Sequence, residues 1–119
     1  MVVGLSVQEQ EVNGIKVLRL EGRVDAVSSA VLEKKMNDII QNKKNSVVLD
    51  FTKIDYLSSA GMRLLLSMTK KFKQQGGILG IFAIHEDVME IIRMAGFEKI
   101  LHIYSLEKEA VAAASSQKH

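Results

Sequence analysis

The sequence predicts an α/β domain: a mixed, mostly parallel β-sheet that opens with an N-terminal β-hairpin and carries about four helices. Three observations predict it. Asn13-Gly14 separates two short alternating segments, the strongest short-range signal of a hairpin. Two apolar runs, SVVLDF and ILGIFAI, have the length and β-branched content of strands buried on both faces. Between and after them, apolar residues recur at helical spacing, so strand and helix alternate as they do when right-handed crossovers link parallel strands.

Taken in order, residues 3–10 alternate through Val3, Leu5 and Val7, and IKVLRLEG after the turn forms the second strand, ended by Gly22. GRVD leads into a helix whose apolar stripe comprises Val27, Ala30, Val31, Leu32, Met36, Ile39 and Ile40, with Asp25 or Ser28 supplying the capping oxygen. Asn42 to Asn45 is a polar turn. SVVLDF is a strand ending near Asp50 or Phe51, and a loop follows it. The next helix begins at Ser58 or Ser59 and runs to about Gln74, closed by Gly76-Gly77. ILGIFAI is a further strand, and EDVMEIIRMAG a helix with Val88, Ile91, Ile92 and Ala95 on one face and Gly96 past its end. Residues 100–103 make a short last strand, and Ser105 caps a final helix through about Ala114.

A chain of 119 residues is the size of one domain, read as 1–114 with a frayed tail at 115–119. Apolar residues at 47% and charged residues at 25% are the balance of a globular domain, and 5% aromatic content makes the core aliphatic. With no cysteine there is no disulfide framework, thiolate metal site or cysteine nucleophile. The first residues lack a basic stretch followed by a long apolar core, and no run approaches the length of a membrane span. The expectation is therefore a cytoplasmic protein with no membrane partner. A net charge of +2, with lysines interleaved among acids and glutamines, gives no reason to expect direct nucleic-acid binding.

The chemistry-bearing stretch is DFTKIDYLSSAGMRLLL, residues 50–66. It places Ser58-Ser59-Ala60-Gly61 at the start of a helix that follows a buried strand. Partner and ligand sites in such sheets form outside the carboxyl ends of the parallel strands. A helix N-terminus offers unpaired N–H groups and partial positive charge, so it stabilises an anion. The small Ala60 and Gly61 leave room for another surface to approach. A serine here either caps the helix or carries a phosphate that its own helix tolerates; that phosphate would set about two negative charges in a docking surface.

The order of these motifs resembles that of the STAS domain family, in particular the bacterial anti-sigma factor antagonists. The resemblance runs from the hairpin through GRVD, VVLDF, SSAGMR and Gly76-Gly77 to MAGFEKI. It implies the STAS fold and a phosphorylation-controlled partner switch. The unphosphorylated antagonist binds an anti-sigma factor serine kinase (a histidine-kinase-like ATPase) and so releases a sigma factor. The kinase ends the interaction by phosphorylating one serine, and a PP2C-type phosphatase restores it. Aligned on Gly61, the phosphoacceptor falls on Ser59, with Ser58 as the alternative. Ser58 stands where many members have Asp, and Ala60 replaces a second Ser or Thr. The resemblance further implies a partner surface of Asp25, Ser58, Ser59, Gly61, Met62 and Arg63, no cofactor, and a monomer. A STAS adaptor or scaffold that works without phosphorylation, in a signalling complex or in transporter regulation, is the alternative.

Other residues weigh less. Asp50 is placed to cap or orient the Ser58–Ser59 loop, Leu57 belongs to the core and Tyr56 is partly exposed. Met62, Met68, Met89 and Met94 read as core, with Met62 or Met94 as adaptable contacts instead. His85, His102 and His119 have no metal-ligand spacing. A serine hydrolase would need a base near Ser58 or Ser59, yet there is no G-x-S-x-G elbow, and His85 is the one histidine that topology could bring near; no catalytic residue and no enzyme activity is expected.

Overall fold

A computed structural model describes residues 4–117. Strands β1 (Leu5–Val12) and β2 (Ile15–Val24) pair antiparallel around Asn13 and Gly14. Both turn residues have positive φ, 52° and 81°, the backbone that the Asn-Gly pair adopts at least cost. β3 (Val47–Leu57), β4 (Leu79–Phe82) and β5 (His102–Tyr104) then add in parallel, giving one five-stranded sheet in the order β1-β2-β3-β4-β5. Four helices link or follow them: α1 (Ser28–Gln41), α2 (Ser59–Gln74), α3 (Glu86–Met94) and α4 (Glu107–Ser115). The mixed sheet and the helix count match the sequence expectation.

Strand alternation divides the core in two. Leu18, Leu49, Phe51 and Ile81 face α1, α2 and α3 and build the main cluster with Leu32, Met36, Leu65, Met68 and Phe72. Val17, Val48 and Phe82 face the other way and pack with Ala110, Val111 and Ala114 of α4. The guanidinium of Arg19 ties that second layer down, bonding Gln10 of β1, Asp50 of β3 and Glu107 of α4. α2 closes as Gly76-Gly77 predicts. The N–H of Gly77 bonds the Phe72 carbonyl and that of Gly76 the Lys73 carbonyl, with Gly76 at φ 81°.

Several element ends differ from the sequence reading. β2 does not stop at Gly22 but runs to Val24, and β3 runs past Phe51 to Leu57. Beyond Asp50, β4 no longer pairs with β3, so the extension lies along β2 alone. β4 ends at Phe82, before Ala83 at φ 61°. β5 begins at His102 because residues 98–100 form a turn. Leu106, not Ser105, occupies the cap position of α4; the Glu109 carboxylate accepts its N–H at 3.3 Å. α4 reaches Ser115, into the segment expected to fray, while Val3 and His119 lie outside the described residues. On α1 the buried stripe is Ser28, Leu32, Met36 and Ile39; Val27, Ala30 and Val31 face solvent, contrary to expectation.

Candidate functional site

The carboxyl ends of β2 and β3 bring two distant segments together. Val24 pairs with Leu57, Arg23 with Tyr56, and the N–H of Ser58 donates to the Val24 carbonyl at 2.9 Å. The β2–α1 turn, carrying Asp25, therefore sits beside the start of α2, which carries the serines.

The two serines differ in what they do. Ser58 is the N-cap of α2, in extended conformation, and its hydroxyl accepts the Gly61 N–H at 3.1 Å. Its carbonyl accepts the Met62 N–H at 2.8 Å, the first bond of the helix. Such a cap is worth about 1 kcal/mol. Ser59 is the first helical residue, exposed, and its hydroxyl has no hydrogen-bond partner among the described residues. Arg63, four residues on along the same exposed helix face, is exposed as well.

Gly61 is a packing residue. A Cβ there would lie 2.7 Å from the Val24 carbonyl oxygen and 2.8 Å from both Leu57 Cδ1 and Val24 Cγ1. Its missing side chain admits β2 and β3 of its own domain; the expectation of space for a partner is corrected. Met62 is corrected likewise: at 5% exposure it belongs to the main core and its side chain is closed to a partner.

Asp25 organises the neighbouring turn. Its Oδ1 accepts the N–H groups of Ser28 at 2.9 Å and Val27 at 3.1 Å and lies 3.0 Å from the Ser28 hydroxyl. The Ser28 hydroxyl also reaches the Arg23 carbonyl at 2.7 Å. The bonds from Ser28, then that from Val27 and the charge of Arg23, hold the Asp25 carboxyl below its ordinary pKa, against a smaller opposing effect of burial. Asp25 thus starts α1, as expected, although Val27 occupies the formal cap position.

Asp50 does not reach the serines. It sits on the α4 face, 3.1 Å from the Arg19 guanidinium and accepting the Thr52 N–H at 2.9 Å, with the sheet between it and α2. Nor does His85 supply a base to them: its Nε2 lies 2.7 Å from the Thr52 carbonyl.

Sequence reasoning missed the apolar character of this edge. Val27 is 78% exposed, Val31 and Tyr56 are exposed, and the Arg23 guanidinium stacks 4.3 Å from the Tyr56 ring centroid. The Arg23–Tyr56 pair lies on the β2 and β3 ends that carry the serines, and Tyr and Arg are residue types enriched in protein interfaces, while Val27 and Val31 leave aliphatic surface uncovered nearby on the β2–α1 turn and α1. The arrangement is an exposed hydroxyl beside an aromatic–cation pair, with no nucleophile–base pair among the described residues.

Known proteins share this architecture. A Bordetella bronchiseptica protein named as an anti-sigma factor antagonist, BtrV, is 31% identical over 104 residues, which span 87% of this chain and 89% of that protein. The crystal structure of an anti-sigma factor antagonist from Mycobacterium paratuberculosis superposes with a TM-score of 0.82 at 20% identity, covering 94% of this chain and 95% of that one. SpoIIAA in its unphosphorylated form superposes at 0.76 with 18% identity over 96% of this chain and all of its own. The sequence model of the STAS domain matches residues 6–110, nearly the whole of the sheet and its helices, and the chain therefore belongs to the STAS domain family.

Proposed function

We propose that this chain is an anti-sigma factor antagonist controlled by phosphorylation of Ser59. Unphosphorylated, it binds an anti-sigma factor that is also a serine kinase of the histidine-kinase-like ATPase class, and so frees a sigma factor. Transfer of phosphate to Ser59 ends that interaction, and a PP2C-type phosphatase reverses it. The protein acts by binding and carries no catalytic group of its own.

The observation that carries this reading is the division of labour between the serines. The Ser58 hydroxyl accepts the Gly61 N–H, whereas the exposed Ser59 hydroxyl, one residue on, has no partner among the described residues. A phosphate on Ser59 sits at the positive end of a sixteen-residue helix, where anions are favoured, and four residues before the Arg63 guanidinium. The helix tolerates the modification, while Asp25, Ser58, Arg63, Val27 and Tyr56 around it meet a partner whose surface must now accommodate about two added negative charges. The names of relatives such as BtrV support the anti-sigma antagonist role.

Intact-mass measurement with peptide mapping tests it. The protein is incubated with ATP and each histidine-kinase-like anti-sigma candidate of its genome. The expected result is one phosphate, on Ser59, and none on Ser59→Ala. Stoichiometric phosphate on Ser59→Ala moves the site to Ser58; stable binding to a kinase without any transfer favours the phosphorylation-independent adaptor.

A further inference from the structure

A second surface lies at the far end of α2 from the serines. The C-terminal half of that helix and the turn between α3 and β5 enclose a groove of about 550 Å³. Its floor is apolar: Leu66, Phe97 and Ile100, the last 53% exposed. Its rim is cationic: Lys70 and Lys73 from α2, Lys99 from the turn, and His102 at the start of β5. No acidic residue lines it, and none of the three ammonium groups has a carboxylate within ion-pair distance among the described residues. What sets the groove apart is that its three ammonium groups converge on an apolar floor with no acid among the lining residues, whereas Lys16, Arg19 and Arg93 each meet a carboxylate, of Glu9, Glu107 and Glu86.

One polar atom adds an independent sign. Thr69 lines the same groove and is 5% exposed, and its Oγ1 has no hydrogen-bond partner among the described residues. Buried hydroxyls are normally satisfied, and a helical threonine usually bonds a carbonyl of the preceding turn. Thr69 is therefore a lining residue of the groove that carries a buried hydroxyl with an unmet hydrogen bond.

We infer that this groove binds an amphipathic monoanion of the long-chain carboxylate class, with the carboxylate among Lys70, Lys73 and Lys99 and the alkyl chain over Leu66, Phe97 and Ile100. The volume is within the roughly 300–1,000 Å³ of small-molecule sites, and an apolar lining with a few convergent polar groups is their usual composition. The charge selects the head group. A cationic or neutral amphiphile gains the same apolar contact but meets three uncompensated ammonium groups. The comparable groove between Val12, Leu106, Val111 and Ala112 makes no such selection, because its rim carries one acid and one base, Glu107 and Lys108.

The test is a titration of the ¹⁵N-labelled protein with dodecanoate below its micelle concentration, paired with calorimetry. The expected result is saturable one-site binding with amide shifts centred on Leu66, Thr69, Phe97, Ile100 and His102. Dodecyltrimethylammonium, with the same tail, should leave these amides unmoved. A Lys70→Glu/Lys99→Glu variant, altered at exposed positions only, should bind on the order of tenfold more weakly, the worth of a lost charge-assisted contact. Ile100→Ser, also exposed, should weaken binding without lowering the melting temperature. Equal binding of anion and cation, shifts scattered over other surfaces, or an unchanged affinity in the charge-reversal variant overturns the inference. An acidic amphipathic peptide that shifts these amides when dodecanoate does not also overturns it, and assigns the groove to a protein. None of these outcomes depends on Ser59, so the phosphorylation switch stands or falls separately.

Discussion

Gly61→Ala is the sharpest perturbation of the serine edge. In an ordinary helix interior the change stabilises by about 1 kcal/mol, because glycine pays more backbone entropy than alanine. Here the added methyl would stand 2.7–2.8 Å from three atoms. Two belong to the side chains of Val24 and Leu57, both buried and unable to swing aside. The third is the Val24 carbonyl oxygen, which accepts the Ser58 N–H and is fixed by the sheet. Overpacking of this kind costs about 1–3 kcal/mol, and a rigid backbone contact places it at the upper end. Subtracting the helix gain leaves a net loss of about 2 kcal/mol, or a melting temperature lower by about 8 °C for a chain of this size. Thermal unfolding followed by circular dichroism reads it directly, and hydrogen exchange at the Ser58 amide reads the same displacement locally. A Gly61→Ala protein that melts at or above the parent temperature would refute the packing argument and return Gly61 to the role of clearance for a partner.

Four further outcomes follow from the same geometry. Ser58→Ala should lose about 1 kcal/mol with its cap while Ser59→Ala stays within about 0.5 kcal/mol of the parent in denaturant melts; equal losses would mean that the capping role is misassigned. Because its folded-state pKa is depressed, Asp25 contributes stability above the ordinary carboxylate value of about 3.9 and loses it as pH falls through the lower folded value, so Asp25→Asn should flatten that part of the acid limb in urea melts; parallel curves for the two proteins would contradict this. Met62→Ala should cost about 2–5 kcal/mol against about 0.5 or less for Met94→Ala, since Met62 is 5% exposed and Met94 81%, and calorimetric unfolding of the pair decides it. Ser59→Glu should weaken binding to the proposed anti-sigma kinase without lowering the melting temperature; unchanged affinity by calorimetry would count against the electrostatic account of the proposed switch.

The fold was legible where side-chain period and turn chemistry agree. Asn13-Gly14, the β-branched run of β3 and the glycines after α2 each have one low-energy reading. The extension of β3 was hidden for a physical reason. Between the pairs Lys16–Val47 and Val24–Leu57, β3 carries two more residues than β2, at shifts beside Arg19/Glu21 and Gly22/Arg23. Each extra residue turns the following side chains to the opposite face. The burial of Phe51, Ile54 and Leu57 consequently recurs every third residue, a spacing that reads as neither strand nor helix. The exposed apolar side chains of α1 were hidden for another reason. Val27 and Val31 form a stripe with helical spacing just as Ser28, Leu32, Met36 and Ile39 do, and only tertiary packing chooses between adjacent stripes. A serine in the buried stripe and valines outside it invert the usual assignment. The serines themselves were legible as a helix start, but which one caps depends on backbone conformation at Ser58, which composition does not report.

These two hidden features bear on how a phosphate at Ser59 would work. The long β3 carries Ser58 out to the end of β2, where its N–H bonds Val24 and Gly61 seats α2 against the same residue. The start of α2 is therefore held by the sheet and by its own cap, and a phosphate on the next residue meets a helix end that favours it. Little conformational change is available there to transmit a signal. On the proposed switch, what would change is the field over Val27, Tyr56, Arg23 and Asp25, to which a phosphate would add about two negative charges. If Ser59 is the switch proposed above, a held helix end argues for electrostatic exclusion of the partner, with the domain itself unaltered, as its mechanism.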